Sequence, residues 1–339
     1  MAVTPLEAPD LAATSAAVLS VRQLVKHYRA RGAQRRLGSA VRAVDGVSFD
    51  IGPDETLGLV GETGCGKSTV ARLVTRLIEP TSGMVSYAGT DITRWSERRL
   101  RPLRREVQIV FQDPYSSLNP RRRVGSIVGD PLRVHGLGTK AEREARVADV
   151  LRRVGLDSAH VGRYPHQFSG GQRQRIGLAR ALVTNPRLIV ADEPVSALDV
   201  SIQAQVLNLI ADLRSELGLS LLFISHDVSV IRHVSDRVAV MYLGKLVEVA
   251  QTECLFSEPA HPYTASLLAS VPRARTTGAP RHRVGVVGEP PSPLSPPSGC
   301  RFRTRCPFAQ RVCAEVEPQL TRQGAGGSVA CHFPLSRES

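Results

Sequence analysis

The sequence predicts an α/β fold in which a mostly parallel sheet carries a phosphate-binding loop. Short apolar runs typical of buried strands, at 56–60, 187–193 and 221–226, alternate with stretches of helical periodicity. The first run leads directly into Gly61–Ser68, which has the form G-x-x-x-x-G-K-S and precedes a helical pattern. The other two runs end in acidic or imidazole side chains, at the strand ends where parallel sheets bind ligands.

Residues 1–19 are predicted to be a disordered tail of a cytosolic protein. The segment is rich in alanine and begins without the basic residues of a secretory signal. No run in the chain approaches the roughly 18 apolar residues of a membrane span. The chain has 339 residues, 42% of them hydrophobic, so it can build one large or two modest domains with a proper core.

The main domain is predicted over 20–255 and opens with strands. Val21–Val25 and Val47–Ile51 alternate in hydropathy, and a basic loop separates them. The continuous apolar run Thr56–Val60 is suited to a buried strand. A helix is expected from Ser68 to near Pro80.

Helical patterns dominate 113–184, which predicts a helical subdomain, and a further helix is predicted over Val200–Leu217. After about residue 255 the composition changes, and 256–339 is predicted to be a small irregular extension. Within it, Pro272–Gly299 is rich in Pro, Arg and Gly and should be extended loop. A cysteine-bearing tail, Cys300–His332, follows.

The formal net charge is +13, and nearly all of the basic residues are arginines. A strongly basic chain can favour nucleic acid or an anionic membrane surface. Here the basic residues are scattered and lack the interleaved aromatics of single-strand binding. The pattern favours a solvated arginine-rich surface, and charge alone does not indicate nucleic acid.

The glycine-rich segment after the first buried strand predicts a nucleotide site. Backbone N–H groups and the helix N-terminus face the phosphates, Lys67 reaches the β- and γ-oxygens, and Ser68 can ligate Mg²⁺. The residues predicted to bind nucleotide here are Gly61, Glu62, Thr63, Gly64, Cys65, Gly66, Lys67, Ser68 and Thr69.

Four side chains at strand ends are predicted to act at the same site. Asp192 suits Mg²⁺, and Glu193 can orient or deprotonate the attacking water. As a pair they could also simply cap the next helix, but their position after a phosphate loop favours catalysis. His226 ends another buried strand, although a lone histidine is more often structural. Gln112 follows the apolar run 107–111 and could otherwise be an ordinary loop amide.

Together with Phe168–Gln172 and Ser196–Asp199, these motifs resemble the series found in ATP-binding cassette (ABC) ATPases, in order and approximate spacing. The resemblance implies an ABC cassette: a mostly parallel core sheet with an antiparallel β-subdomain and a helical subdomain. It also implies a head-to-tail pair of ATPases that closes around two ATP molecules.

In such a pair Ser169, Gly170, Gly171 and Gln172 would contact the ATP bound to the partner, and Asp199 would communicate across the interface. Gln112 would sense nucleotide, contact Mg²⁺ and relay its state to the membrane subunit. Tyr28 resembles the aromatic residue that stacks on adenine, and the alternative is a plain strand-end aromatic. Phe168 stands where many members have Leu, a harmless apolar change.

Cys65 stands where relatives often have Ser. A thiol at a helix N-terminus can have a depressed pKa. The sequence therefore raises the hypothesis that Cys65 is sensitive to oxidation, with an inert loop position as the alternative.

Further segments resemble the oligopeptide/dipeptide permease ATPases, over roughly 20–334. They are Phe111–Arg121, Asp192–Gln205, His261–Thr264 and Gly288–Pro293. The run Pro165–Ile176 resembles the F-type of the two ATPase subunits in these importers. The family implies a D-type sister ATPase, two transmembrane permeases, an extracytoplasmic binding protein and a peripheral position on the cytoplasmic face of the plasma (inner) membrane.

The resemblance leaves the solute open, because the ATPase never touches the cargo. Related importers carry nickel, glutathione or other small solutes. A soluble ABC protein of DNA repair or translation is the rival function. Such proteins usually carry two cassettes or long inserted arms, whereas this sequence has one phosphate loop and a permease-type tail.

Four cysteines in the tail, Cys300, Cys306, Cys313 and Cys331, have the spacing C-x₅-C-x₆-C-x₁₇-C. In a cytosolic protein, metal ligation is a better reading of such a cluster than disulfides. Four thiolates suit zinc or an iron–sulfur cluster, and the wide gaps fit zinc less well. The permease resemblance favours a [4Fe–4S] cluster, with zinc or unligated thiols as alternatives. His332 is a substitute ligand or a bystander, and Cys254 is predicted to be a core residue.

Overall fold

The computed structural model describes residues 17–29, 40–113, 117–270, 288–323 and 327–335. The strands in this part of the chain are β1 Leu19–Arg29, β2 Ala40–Ile51, β3 Thr56–Val60, β4 Ser82–Tyr87, β5 Thr90–Asp91, β6 Val107–Val110, β7 Leu188–Asp192, β8 Ser220–Ser225, β9 Arg237–Tyr242, β10 Lys245–Gln251, β11 Thr321–Arg322 and β12 Ser328–Val329. The α-helices are α1 Lys67–Val74, α2 Glu97–Glu106, α3 Val124–Val134, α4 Lys140–Arg153, α5 Gly170–Leu182, α6 Val200–Leu217, α7 Val228–Val234, α8 Thr252–Ser257, α9 Pro262–Ala269 and α10 Arg311–Glu315.

The main sheet has eight strands in the order β11-β12-β10-β9-β3-β8-β7-β6. From β9 to β6 every neighbouring pair is parallel, and β10, β11 and β12 add antiparallel strands at one side. The central strands β3, β7 and β8 are buried along their whole length, as expected for a sheet covered on both faces. The predicted mostly parallel core sheet is confirmed.

A second sheet packs beside the first and supplies the predicted antiparallel β-subdomain. Its strand order is β2-β1-β4-β5, and all its pairs are antiparallel. One hydrophobic core unites the inner face of this sheet with α1 and one face of the main sheet. The other core joins the opposite face of the main sheet to α3–α7.

The predicted helical subdomain contains α3, α4 and α5. Helix α4 begins with a reciprocal cap: Thr139 Oγ1 accepts from Glu142 N, and Glu142 Oε2 accepts from Thr139 N at 2.6 Å. Val147, Val150 and Leu151 form its buried face. The helices therefore pack as an amphipathic layer.

Two predictions of local structure were wrong. Helix α1 ends at Val74, six residues before Pro80, because Arg76 takes a left-handed backbone (φ 54°) and buries its guanidinium against Ile92 O. The extension is not wholly irregular, since β12 pairs with β10 of the main sheet. The extension thus adds strands to the main sheet.

The predicted tail lies largely outside the described residues, and β1 already begins at Leu19. Of the predicted loop 272–299, only 288–299 is described, and it contains no regular element. Within the described ranges, no helix is both long and apolar enough to cross a bilayer.

Candidate functional site

The phosphate loop follows β3 and has a backbone that only glycine tolerates at two positions. Gly66 has φ 112°, and a Cβ there would lie 2.0 Å from Ala43 O. A Cβ at Gly61 would lie 2.1 Å from Met241 O. These close approaches hold the loop against β2 and β9 at the start of α1, where the helix N-terminus suits an anion.

Lys67 begins α1 and is only 4% exposed. Its Nζ donates to the loop carbonyls of Gly61 at 2.7 Å and Glu62 at 3.1 Å. The ammonium group is therefore held inside the curve of the loop, where phosphate oxygens would replace these weaker neutral acceptors. Thr69 follows on the same helix and is half-buried.

Ser68 and Asp192 meet as predicted for a magnesium site. Ser68 Oγ donates to Asp192 Oδ1 at 3.0 Å, across 124 residues of sequence. Burial raises the pKa of Asp192, and the hydrogen bond from Ser68 opposes that rise. A hydroxyl and a carboxylate in contact are hard oxygen donors that suit Mg²⁺.

Glu193 lies at the centre of the predicted catalytic residues. Its Oε2 is 3.0 Å from Gln112 Nε2, which donates to it, and 3.0 Å from His226 Nδ1. The backbone of Glu193 is left-handed, with φ 49°, an uncommon conformation that is found at functional sites when its surroundings enforce it. The ends of β6, β7 and β8 thus converge on one carboxylate.

The segment Ser169–Gln172 begins α5 with a reciprocal cap. Ser169 Oγ accepts from Gln172 N, and Gln172 Oε1 accepts from Ser169 N at 3.0 Å. A Cβ on Gly171 would lie 2.4 Å from Ile202 Cγ2, so this glycine lets α5 approach α6 closely. Among the described residues, neither polar side chain is hydrogen-bonded to the phosphate loop of its own chain. The structure therefore does not join these two motifs within one subunit.

Two further predicted site residues lie apart from Glu193. Asp199 is the exposed residue before α6, and its side chain makes no cap hydrogen bond. Tyr28, near the end of β1, is 38% exposed, and Lys26 Nζ lies 5.3 Å from its ring centroid. Both roles stay predictions.

The surroundings of Cys65 in the structure oppose the hypothesis that it is sensitive to oxidation, which remains to be tested. The side chain points inward and is 4% exposed. Burial raises the pKa of Cys65, and the charge of Lys67 only partly offsets this. A protonated, buried thiol is a poor nucleophile and a poor target for oxidants.

Comparison of the sequence with family models and with known proteins identifies the family. A family model described as "ABC transporter" matches residues 44–196, and one described as "Oligopeptide/dipeptide transporter, C-terminal region" matches residues 247–313. The oligopeptide transport ATP-binding protein AppF of Bacillus subtilis is 52% identical over 326 residues, covering 95% of this chain and 99% of that protein. A putative peptide import ATP-binding protein of Brucella ovis is 50% identical over 318 residues, covering 94% and 98%.

The chain belongs to the ABC transporter family. Within it, the chain falls in the oligopeptide/dipeptide group of ATP-binding subunits. This ABC subunit is an ATPase coupled to transport, and the predicted family and fold are confirmed.

Solved ABC structures share the fold. The structure of cbiO1 from Clostridium perfringens, part of the ABC transporter complex cbiONQ, matches with a TM-score of 0.63 and 26% identity, covering 72% of this chain and 92% of that one. The cassette MJ0796, a dimer in a post-hydrolysis state bound to ADP and Pi, matches with a TM-score of 0.61 and 28% identity, covering 69% and 98%.

The four tail cysteines of this ABC subunit line one small cavity. Phe302, Phe308 and Phe333 share its wall, together with His261 and His332. All six cysteines of the chain are free, and burial raises the pKa of Cys300, Cys306 and Cys331, the last to about 12. In the described part of the chain, no group of three or more His, Cys, Asp or Glu is arranged to hold a metal ion. The thiols therefore share surroundings without forming an assembled ligand set.

The remaining tail predictions are mixed. His332 Nε2 is 2.9 Å from Val316 O, as fits a bystander. Cys254 was predicted to be a core residue, and this was wrong, because its side chain is only half-buried.

Two contacts to the phosphate loop were missed by the sequence reasoning. Tyr263 Oη accepts a hydrogen bond from Glu62 N at 3.0 Å, and Arg305 pairs with the Glu62 side chain at 2.9 Å. Both residues lie in the extension. The only available signal was Tyr263 in the segment His261–Thr264, which resembles the permease family but does not reveal a contact.

Proposed function

We propose that this ABC subunit energises the import of di- or oligopeptides. The names of its relatives in Bacillus and Brucella support this cargo, as does the match of 247–313 to the oligopeptide/dipeptide transporter region. The observation that carries the ATPase function is the convergence of Gln112 and His226 on Glu193 beside the Ser68–Asp192 pair.

The site hydrolyses ATP by positioning and charge stabilisation. Lys67 and the loop N–H groups would bind the phosphates, and Ser68 and Asp192 would hold Mg²⁺, which would neutralise charge on the phosphate oxygens. Glu193 orients the attacking water and accepts its proton. Gln112 and His226 each contact Glu193 at 3.0 Å and thereby fix its carboxylate.

The partner of this subunit is a D-type sister ATPase, with this chain as the F-type. Ser169 lies exposed at the N-terminus of α5 and serves the partner's ATP in a head-to-tail pair. The exposed Asp199 and the 82% exposed Val200 are free to meet that partner. Two permeases complete an assembly on the cytoplasmic face of the inner membrane, which an extracytoplasmic binding protein supplies with solute.

The assembly is tested by anaerobic pull-down of the Glu193→Gln protein from detergent-solubilised host membranes, with mass spectrometry of the co-purifying chains. Two permeases and a D-type ATPase are expected, and their binding protein is then assayed with peptides, nickel and glutathione. Recovery of a homodimer alone, or of ribosomal or repair proteins, would overturn the importer. Binding of nickel or glutathione but no peptide would overturn the cargo.

The four tail thiols hold a [4Fe–4S] cluster in the proposed assembly. Sulfur is the donor such clusters use, and four partly or fully buried cysteines around one cavity supply it. Cys300, Cys306, Cys313 and Cys331 would each supply one thiolate to such a cluster. The raised thiol pKa values mean that ligation must release protons.

Cysteine substitution tests the cluster. Anaerobically purified protein should absorb near roughly 400 nm, as cluster chemistry requires, and contain iron and acid-labile sulfide. Cys306→Ser should lose both, whereas Cys254→Ser, outside the motif, should keep both. Iron-free wild-type protein, or zinc in its place, would contradict the cluster.

A further inference from the structure

Arg305 reaches the phosphate loop from between the first two cysteines of the tail motif. Its Nη1 lies 2.9 Å from both carboxylate oxygens of Glu62, the second residue of the loop. The arginine side chain is 10% exposed and the glutamate 30%. The pair is thus largely shielded from water, where a charge-assisted contact is stronger than at a surface.

Tyr263 holds the same residue by its backbone. Its hydroxyl accepts the Glu62 N–H at 3.0 Å, and burial raises the pKa of Tyr263 so that the hydroxyl stays neutral. The Tyr263 ring packs 4.6 Å from Tyr242 and 5.4 Å from Phe302 between centroids. Because Phe302 also lines the four-cysteine cavity, this aromatic cluster connects the cavity to the loop.

Glu62 in turn contacts the residue that binds phosphate. Its carbonyl accepts from Lys67 Nζ at 3.1 Å and from Cys65 N at 3.2 Å. A shift of Glu62 would therefore displace a carbonyl that accepts from Lys67, and it would change the shape of the loop at the same time.

A second arginine strengthens the link between the extension and the nucleotide side of the domain. Arg301 is 6% exposed, pairs with Asp45 of β2 and donates to Leu243 O. Asp45 also contacts His27 Nε2 at 2.9 Å, one residue before Tyr28. The segment between Cys300 and Cys306 is thus fixed at two points beside the nucleotide site.

We propose that Arg305 and Tyr263 are positioning residues for the phosphate loop: by fixing Glu62 they fix Lys67, so the C-terminal extension sets the affinity for ATP. The inference uses only the ATPase function. It does not depend on the cargo or on what the four thiols bind.

The test measures equilibrium ATP binding to the full chain, by competition against a fluorescent ATP analogue, and the thermal midpoint without ligand. Arg305→Gln and Glu62→Gln should each weaken ATP binding about tenfold, the size of one lost charge-assisted contact. The double variant should be no worse than either single one, because both remove the same pair. In the assembled transporter, the KM for ATP should rise while kcat at saturating ATP stays near the wild-type value.

Arg303→Gln is the matched control, because Arg303 lies in the same segment but donates to Ser298 within the extension. It should leave ATP binding unchanged. Tyr263→Phe removes only the hydroxyl and should weaken ATP binding about threefold to tenfold, as for one neutral hydrogen bond. If Arg305→Gln does not fold, Glu62→Gln and Tyr263→Phe carry the test. ATP affinity equal to that of Arg303→Gln in these variants, or additive effects in the double variant, would overturn the proposal.

Discussion

The nucleotide site and the four-cysteine cavity lie in the same ABC subunit, but their side chains are organised differently. In the nucleotide site polar side chains from distant segments already pair: Ser68 with Asp192, and Gln112 and His226 with Glu193. In the cavity the cysteine thiols lie among aromatic rings, and burial raises the pKa of Cys300, Cys306 and Cys331, which favours their protonated forms. The nucleotide site is therefore organised before its ligand binds, whereas the thiols of the cavity must lose protons before they can bind a metal.

The contrast suggests how work is divided within the chain. In the proposed mechanism the strand ends carry the chemistry of hydrolysis, where positioned charges would act directly on the phosphates. In the proposed arrangement the extension acts on that chemistry through Arg305 and Tyr263, which contact Glu62. Substitutions at the strand ends should therefore abolish ATP hydrolysis, and those in the extension should change the affinity for ATP.

After Glu193→Gln, discussed last, the largest loss of ATP binding and hydrolysis is expected from Gly66→Ala. The new Cβ would lie 2.0 Å from Ala43 O and force the loop to move, and a displacement of about 1 Å at a catalytic site can cost about 10²-fold. Gly64→Ala is the matched control: its φ is also positive, at 80°, but no atom lies within 4 Å of an added Cβ. Gly64→Ala should lower the free energy of unfolding only by the cost of a left-handed backbone, about 1–2 kcal/mol. Equal loss of ATP binding in both variants would mean that crowding is not the cause.

A pH-dependent effect is expected from Asp192→Asn. Burial raises the pKa of Asp192 above its unfolded value, so the folded protein without nucleotide is destabilised above the folded pKa, and this penalty vanishes as pH falls below the unfolded pKa. Asp192→Asn should therefore raise the ligand-free thermal midpoint at pH 7.5 and lose that advantage towards pH 4.

Magnesium should reverse the order of the thermal midpoints of the wild type and Asp192→Asn. Adding MgATP should stabilise the wild type more than Asp192→Asn, because the cation compensates the buried carboxylate. A variant that is no more stable at pH 7.5, or that gains as much from MgATP, would contradict a buried magnesium ligand at Asp192.

The smallest effect concerns Cys65. Because it is 4% exposed and its pKa is raised, iodoacetamide at pH 8 should label it at least about tenfold more slowly than an exposed thiol. The half-buried Cys254 provides the internal reference, and peptide mass spectrometry of the native protein gives both rates. Labelling of Cys65 at the rate of free cysteine would restore the reactive-thiol hypothesis.

The sequence predicted the core of the site because each functional residue follows a recognisable element. The predicted β3 and the predicted helix 200–217 have the same bounds in the structure. Asp192 and His226 are found at the ends of buried strands, as their patterns indicated. Parallel strands then bring their ends together, so local patterns suffice to predict a shared site.

What the sequence did not reveal depends on contacts between distant residues. The Arg305–Glu62 pair spans 243 residues, and no spacing rule connects the two. Strands β11 and β12 have two residues each, too few for an alternating pattern. Helix α1 stops early because Arg76 finds buried carbonyl partners, a tertiary effect that overrides local propensity.

The most direct test of the central claim is the rate of ATP hydrolysis by the assembled transporter carrying Glu193→Gln, measured together with its ATP affinity. Glu216→Gln on the exposed surface of α6 is the control, since Glu216 pairs only with Arg153 among the contacts seen in the described residues. Hydrolysis should fall by about 10²–10⁴-fold, as for loss of a general base, while ATP stays bound in a closed dimer. Hydrolysis at the wild-type rate would contradict the role of Glu193 and the account of the site built around it.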